Sequence, residues 1–139
     1  MFSIIIPSLN NLEYLKFCIH SLEKNSKYKH EILVHVNEGK DGTIDFLKNK
    51  KIRFSFTDYN AGICEGVNKA AKLTNTNYIL YSHDDFYFCP SWDVPMVEEI
   101  EKFTNNLFYL SGTMIEKKVI RTYFSTELFN NPSDFPEEE

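Results

Sequence analysis

The sequence lacks any long hydrophobic run. Its opening apolar stretch, Phe2 to Ile6, is far shorter than the roughly 20 residues a membrane-spanning helix needs, and no basic region precedes it as in a secretory leader. Paired cysteines are missing too. Cys18, Cys64 and Cys89 are far apart and odd in number, and neither C-x-x-C nor a Cys/His metal spacing occurs. Free, buried thiols in a reducing compartment are expected, in place of a disulfide framework or a zinc site. Basic charge is in deficit: 15 Lys and Arg face 20 Asp and Glu, for a net charge of −5. Nucleic acid held by general electrostatics is therefore not an expected partner. An anionic ligand would need a metal ion or a local basic group to offset that field. Two phosphate-binding signatures are also absent. Without G-x-G-x-x-G a dinucleotide-dependent oxidoreductase is disfavoured, and without G-x-x-x-x-G-K-[ST] so is a P-loop enzyme.

What is present reads as one globular domain with a real core: 139 residues, 42% hydrophobic and 25% charged. Taken in order, strand and helix patterns alternate. Phe2 to Ile6 is an Ile-rich run stopped by Pro7, and its continuous apolarity predicts a strand buried on both faces. Leu12, Leu15, Ile19 and Leu22 recur at helical spacing, with Asn10 as the expected N-cap and Glu13 as its reciprocal partner. Ile32, Leu33, Val34 and Val36 predict a second strand ending at Asn37-Glu38-Gly39. Asp41-Gly42-Thr43 offers a turn and a cap for a short helix bearing Ile44 and Leu47, closed by Lys48, Lys50 and Lys51. The alternating run Ile52 to Phe56 predicts an edge or half-exposed strand. Asn60 can cap a third helix, with Ile63, Val67 and Ala70 facing inward. Tyr78 to Tyr81 predicts a fourth strand. Ser91 or Asp93 can cap a fourth helix with Met96, Ile100 and Phe103 on its apolar face. Leu107 to Ile115 reads as a further strand and Val119 to Phe124 as a short one. Residues 125–139 are polar and end in three glutamates, a tail expected to be flexible.

This alternation predicts an α/β fold: a Rossmann-like, mostly parallel sheet flanked by helices, with right-handed crossovers. Ligands of such sheets bind outside the carboxyl ends of the strands. Pro7-Ser8, Asn37-Glu38, Asp58 and Ser82 to Asp85 fall there. An isolated Asp-Asp pair reads first as a solvated turn or a helix N-cap. The convergence of polar strand ends is what favours a site. Adjacent carboxylates repel and raise each other's pKa unless a positive group lies beside them. A Mg²⁺ or Mn²⁺ ion carrying a phosphorylated ligand would meet that need, because these hard cations take only one or two ligands from the protein. Among the histidines, His20 and His30 fall on polar faces or turns. His35 is expected to be packed within a strand, and His83 is the one placed to touch a ligand. Tyr81, Phe86, Tyr87, Phe88 and Trp92 read mainly as core and loop packing, with stacking on a base or sugar as the alternative.

Four segments in order resemble the family-2 glycosyltransferases of the GT-A fold, over almost all of residues 2 to 116. They are S-I-I-I-P-S-L-N with its following helix, V-N-E-G-K-D-G-T, N-A-G-I-C-E-G-V-N-K-A-A, and H-D-D-F, the last similar to the family's acidic metal motif. The resemblance implies a nucleotide-sugar-binding domain over residues 1–124. Pro7, Ser8 and Glu38 would line the base and ribose, with Glu38 accepting an imide N–H from a uracil-like base. Asn37 would support that loop, and Asn60 and Gly62 would shape its neighbour. Asn68 would lie near the ribose or diphosphate, Asp84 would hold the ribose or sugar, and Asp85 would hold Mg²⁺ or Mn²⁺ on the diphosphate. Purely structural readings stand beside these: Pro7 as a strand end, Glu38-Gly39 as a turn, Asn60 as a cap.

The implied activity is metal-assisted, inverting transfer of a sugar from a UDP- or GDP-linked donor to a hydroxyl of a glycan or lipid-linked acceptor, in glycan or surface-polysaccharide synthesis. A cytoplasmic protein is expected, with peripheral contact at the inner membrane face and homo-oligomerisation both open. Three departures stand out. Ser82 and Val67 replace an acidic residue and an Arg found in many members, and nothing resembles a Q-x-x-R-W segment. No matching motif supports Asp93 or Glu116 as the general base, so the base is expected outside this chain. The alternative is a non-catalytic nucleotide-binding or interaction module. A nucleotidyltransferase would need a Gly- and basic-rich loop after the first strand, which Pro7 to Leu12 does not provide.

Overall fold

The computed structural model describes residues 1–105 and 107–112. The chain divides into two units, Met1–Asp93 and Val94–Glu139. The first contains β1 (Phe2–Leu9), α1 (Leu12–Asn25), β2 (Glu31–Asn37), α2 (Thr43–Lys50), β3 (Arg53–Thr57), α3 (Gly62–Ala71) and β4 (Tyr78–Tyr81). All strand pairs are parallel, in the order β3-β2-β1-β4. The apolar run of β1 lies near the middle of this sheet, and Ile4, Ile5 and Ile6 are fully buried. Such burial on both faces is why the run shows no polar alternation. β3 is an edge strand, as its alternating pattern predicts, and Phe56 is exposed on it.

Different helices cover the two faces. On one, Leu22 of α1 meets Ile4 and Ile32 around a small cavity. On the other, α3 crosses His35 at Gly66, where an added Cβ would lie 2.6 Å from the imidazole Cδ2. This corrects the expected inner face of α3. Gly66 and Ala70 are the residues buried on that helix, while Ile63 is 53% exposed. The helix lies so close to the sheet that its contact stripe has to be small. His35 is packed within its strand as expected, hydrogen-bonded to Ser55 Oγ at 2.8 Å and Thr57 Oγ1 at 3.3 Å. Its burial, followed by the Lys69 charge, holds its pKa below the usual value.

Two further local expectations change. Pro7 does not stop β1, which runs on to Leu9 beside β2. The carbonyl of Ile5 accepts from Ser82 N at 3.0 Å, so Ile5 and Pro7 both turn their backbone edge toward β4. The ladder with β4 ends at Ile5–Tyr81. The missing N–H of Pro7 therefore faces a side where no strand asks for it, which is the condition for proline in a strand. Asn10 is not the cap of α1 either. Asn11 holds that position without a side-chain cap bond, and Asp41 Oδ2 accepts the Leu12 N–H at 2.8 Å from across the sheet end. Glu13 pairs with Lys16 instead of closing a capping box.

The second unit contains most of α4 (Asp93–Ile100). Phe103 lies past the end of that helix and stacks on Phe108 with ring centroids 4.6 Å apart. The expected strand from Leu107 is not formed over residues 107–112, where Leu107 is 90% and Tyr109 88% exposed. Exposed side chains on alternate positions here have no described ladder partner to hold an extended segment flat. The expected strand at 119–124 and the tail 125–139 lie outside the described residues. Among the described residues no helix is long and apolar enough to cross a membrane.

Candidate functional site at the strand-order reversal

β1 has β2 on one side and β4 on the other, so the order of connection reverses at its carboxyl end. A crevice at this point is where open parallel sheets bind ligands. β4 pairs with β1 no further than Tyr81, while β1 and β2 continue to Leu9 and Asn37. The ends of these adjacent strands bring together Pro7 and Ser8, Asn37 and Glu38, and the loop Ser82 to Asp85.

On the β1–β2 side the scaffold is a set of polar ties. Asn37 is buried; its Nδ2 donates to Ser8 O at 3.4 Å and its Oδ1 accepts from Ala61 N at 2.8 Å. One side chain thus joins β1, β2 and the start of α3. Ser8 Oγ is buried with no hydrogen-bond partner among the described residues. A buried hydroxyl left unpaired costs about 1–3 kcal/mol, and such an atom is a place to look for a missing ligand or water. Glu38 has φ +62, and its N–H donates to Thr57 O at 2.9 Å. Its Oε2 accepts from Lys40 Nζ at 2.8 Å and Asn10 Nδ2 at 3.1 Å. Those two bonds, Lys40 first, hold the carboxyl below the usual range. At Gly39, φ is +64 and an added Cβ would meet Ile44 Cδ1 at 2.8 Å and Val36 Cγ1 at 3.1 Å, so a larger residue there would be strained and crowded. Asp41 braces the loop from below: Oδ1 accepts from Thr43 N at 3.1 Å and from its hydroxyl at 2.7 Å, while Oδ2 holds α1.

Asn60 and Gly62 lie at the start of α3. Asn60 Oδ1 accepts from Gly62 N at 2.9 Å, and Gly62 takes φ +73. The asparagine thus braces a local turn and is not the expected cap of α3, a position that Ala61 holds without a side-chain cap bond. Asn68 is exposed further along the same helix.

On the β4 side, Asp84 is half-buried and Asp85 exposed, in a turn just past the strand. Cys18 of α1 lies close by, donating from Sγ to His83 O at 3.4 Å. Burial, then the charges of Asp84 and Asp85, push its thiol up to about 12, so it is an inert packing group. His83 Nε2 and Tyr81 Oη are 2.9 Å apart, and the His83 ring lies 5.0 Å from Phe86. Among the described residues no group of three or more His, Cys, Asp or Glu converges as a metal cage. The acidic pair can offer one or two carboxylates, a donor set that suits Mg²⁺ or Mn²⁺ only if phosphate and water complete the shell. Asp93, a candidate later carboxylate, is closed to such work. It is fully buried, and Lys27 N, Tyr28 N and His30 Nε2 already donate to it.

Sequence reasoning missed two members of this site, Asn10 and Lys40. Asn10 read as a helix cap and Lys40 as loop. In the folded chain Asn10, with φ +48, and Lys40 both donate to Glu38.

A parallel sheet with flanking helices, order reversal at β1 and an acidic loop beside it is the GT-A, Rossmann-like architecture of nucleotide-sugar-binding proteins. The family described as "Glycosyl transferase family 2" matches residues 3–137, and the chain belongs to that family. Among solved structures it is similar to TarS 1–349 of S. aureus, with 20% identity and a TM-score of 0.66 over 73% of this chain and 32% of that one. The TarS 1–349 complex with UDP gives a TM-score of 0.65 at 20% identity, over the same shares. The mannosyltransferase PcManGT from Pyrobaculum calidifontis, in complex with GDP-Man and Mn²⁺, gives 0.56 at 14% identity, over 68% of this chain and 30% of that one. At these identities the likeness is one of fold. The chain thus spans 32% or 30% of those chains' lengths. No curated protein matches the sequence.

Proposed function

We propose that this chain carries the nucleotide-binding part of a family-2 glycosyltransferase and binds a UDP- or GDP-linked sugar at the end of β1. The observation that carries this reading is the meeting of Ser8, Asn37, Glu38, Asp84 and Asp85 at the strand-order reversal. In it, Pro7 and Ser8 line the nucleoside, and the Ser8 hydroxyl finds its partner in the ligand. Glu38 accepts an N–H of the base. Asn37 holds the two strand ends and α3 in register, with Asn60 and Gly62 shaping the neighbouring loop. Asn68 and Asp84 reach toward the ribose, sugar or diphosphate, and Asp85 holds Mg²⁺ or Mn²⁺ against the diphosphate. A cation so bound supplies Lewis-acid stabilisation of the departing nucleoside diphosphate. This nucleotide-binding domain covers residues 1–124.

Transfer of the sugar to an acceptor hydroxyl needs more. A base has to lie within hydrogen-bond reach of that hydroxyl. The saturated Asp93 does not offer it, and Glu116, the other later carboxylate, lies outside the described residues. We therefore assign donor binding to the described residues. Inverting transfer to a glycan or lipid-linked acceptor would further require a base and an acceptor surface. Calorimetric titration with UDP and GDP, with and without Mn²⁺, tests the assignment. Metal-dependent binding of either nucleotide is expected. A folded chain that binds neither would reduce the site to scaffold and leave an interaction module.

A further inference from the structure

Two non-glycine residues of the crevice have left-handed backbones, Asn10 with φ +48 and Glu38 with φ +62. Asparagine tolerates that region, whereas glutamate, with its longer side chain, rarely adopts it. A strained residue persists where its surroundings over-determine it, and such residues cluster at ligand clamps. Here the surroundings are specific. Glu38 Oε2 accepts from Asn10 Nδ2 and from Lys40 Nζ. Asn10 Oδ1 in turn accepts the Lys40 backbone N–H at 2.9 Å. The amide of Asn10 satisfies both partners in one orientation only, since one end donates and the other accepts. The end of β1 and the loop after β2 thus close on one carboxylate oxygen. Asn10 and Lys40 are themselves exposed, so this clamp is not a by-product of core packing.

We infer that Asn10 and Lys40 are positioning residues that fix the Glu38 carboxylate, so that the chain selects a nucleoside diphosphate whose base presents a ring N–H beside a carbonyl. The inference rests on the nucleotide-binding reading above. Uracil N3–H and guanine N1–H meet that description. The corresponding ring nitrogens of cytosine and adenine carry lone pairs. An ionised carboxylate only accepts hydrogen bonds, so it pairs with the first two bases and opposes the others. A free carboxylate could rotate away from the mismatch. Holding Oε2 from two sides opposes that rotation, and the ammonium of Lys40 favours the ionised form.

The test is calorimetric titration of the full chain with UDP, GDP, CDP and ADP in Mn²⁺. The wild type should bind UDP or GDP at least about tenfold more tightly than CDP and ADP. Asn10→Gly keeps the left-handed backbone and deletes only the side chain. Together with Lys40→Met it should shrink that ratio to about threefold or less, with little change in melting temperature. Glu38→Gln should abolish the preference. If the Asn10 and Lys40 variants keep the wild-type ratio, or lose affinity equally for all four nucleotides, the clamp is overturned while nucleotide binding stands. Equal wild-type affinity for the four bases has the same meaning. A wild-type chain that binds none of them overturns both the clamp and the site.

Discussion

Asp93 at one end of the sheet and the Asp84–Asp85 pair at the other are treated in opposite ways. At the amino-terminal end, Asp93 is fully buried and accepts from Lys27 N at 3.0 and 2.9 Å, Tyr28 N at 2.8 Å and His30 Nε2 at 2.9 Å. The His30 ring is stacked on Phe2 at 5.1 Å and lies 5.2 Å from Trp92. Burial alone would raise the Asp93 pKa, but the hydrogen bonds from Tyr28, Lys27 and His30 outweigh it and leave the carboxyl below its usual range. Glu31 is used in the same way, taking bonds from Ser3 Oγ, Asn75 and Arg53. At the carboxyl end, Asp85 is exposed, Asp84 is half-buried and the Ser8 hydroxyl is unpaired among the described residues. A carboxylate whose lone pairs are filled by the chain holds structure. One left open to solvent is available to a ligand.

The contrast can be broken most severely at the closed end. Asp93→Ala would strand two backbone N–H groups and the His30 ring, and a loss of about 3–5 kcal/mol in a urea titration is expected. A loss below about 1 kcal/mol would mean that water replaces the carboxylate easily and that the end is not closed. Gly66→Ala comes next. Overpacking against His35 should cost about 1–3 kcal/mol, opposed by up to about 1 kcal/mol of helix propensity, for a net fall in melting temperature. A higher melting temperature would show that α3 can slide outward.

Acid should act on the buried histidines before the carboxylates. Burial lowers the folded pKa of His30 and His35 below 6.5. The unfolded chain therefore takes up protons first as pH falls below that value, and stability declines from there toward the folded pKa values. The depressed Asp93 adds stability above its unfolded value of about 3.8, which is lost as pH falls through its lower folded value. Urea midpoints measured from pH 8 to pH 3 should fall in these two stages, and His30→Gln should reduce the first. A midpoint that stays flat down to pH 5 would show that neither histidine is held neutral by the fold. The smallest stability effect belongs to the open end. Asp85→Ala should change stability by less than about 0.5 kcal/mol yet remove the gain in UDP or GDP affinity that Mn²⁺ provides. If that gain survives, Asp85 is not the metal ligand. If stability drops with it, the open end is structural after all.

Much of this fold is legible along the chain. The Ile-rich run of β1 and the apolar β2 announce strands covered on both faces, and the edge position of β3 shows in its alternation. The abrupt change from Tyr81 to His83-Asp84-Asp85 marks a strand end with an acidic loop. What the chain hides is where neighbouring strands stop. Pro7 looks like a terminator until β4 is seen to end beside it, at Ile5–Tyr81. Asn10 looks like a cap until Asp41 is seen to take that place. Ile63 looks like the inner face of α3 until the helix is seen to approach His35 through Gly66. The clamp on Glu38 has no local signal, because a left-handed glutamate carries no marker of the kind glycine gives.

The order of apolar and polar residues was enough to dictate alternating strands and helices and a parallel sheet, because a strand buried on both faces must be apolar throughout and its parallel partner must come through a crossover. It could not say which acidic residue is structural and which is open. Asp93 and Asp85 are alike in composition and only eight residues apart. One is saturated by groups more than sixty residues earlier in the chain, while the other lies in the turn after a strand whose neighbour runs on past it. Filling a carboxylate's lone pairs is a matter of partners in space, and only the packed sheet supplies or withholds them.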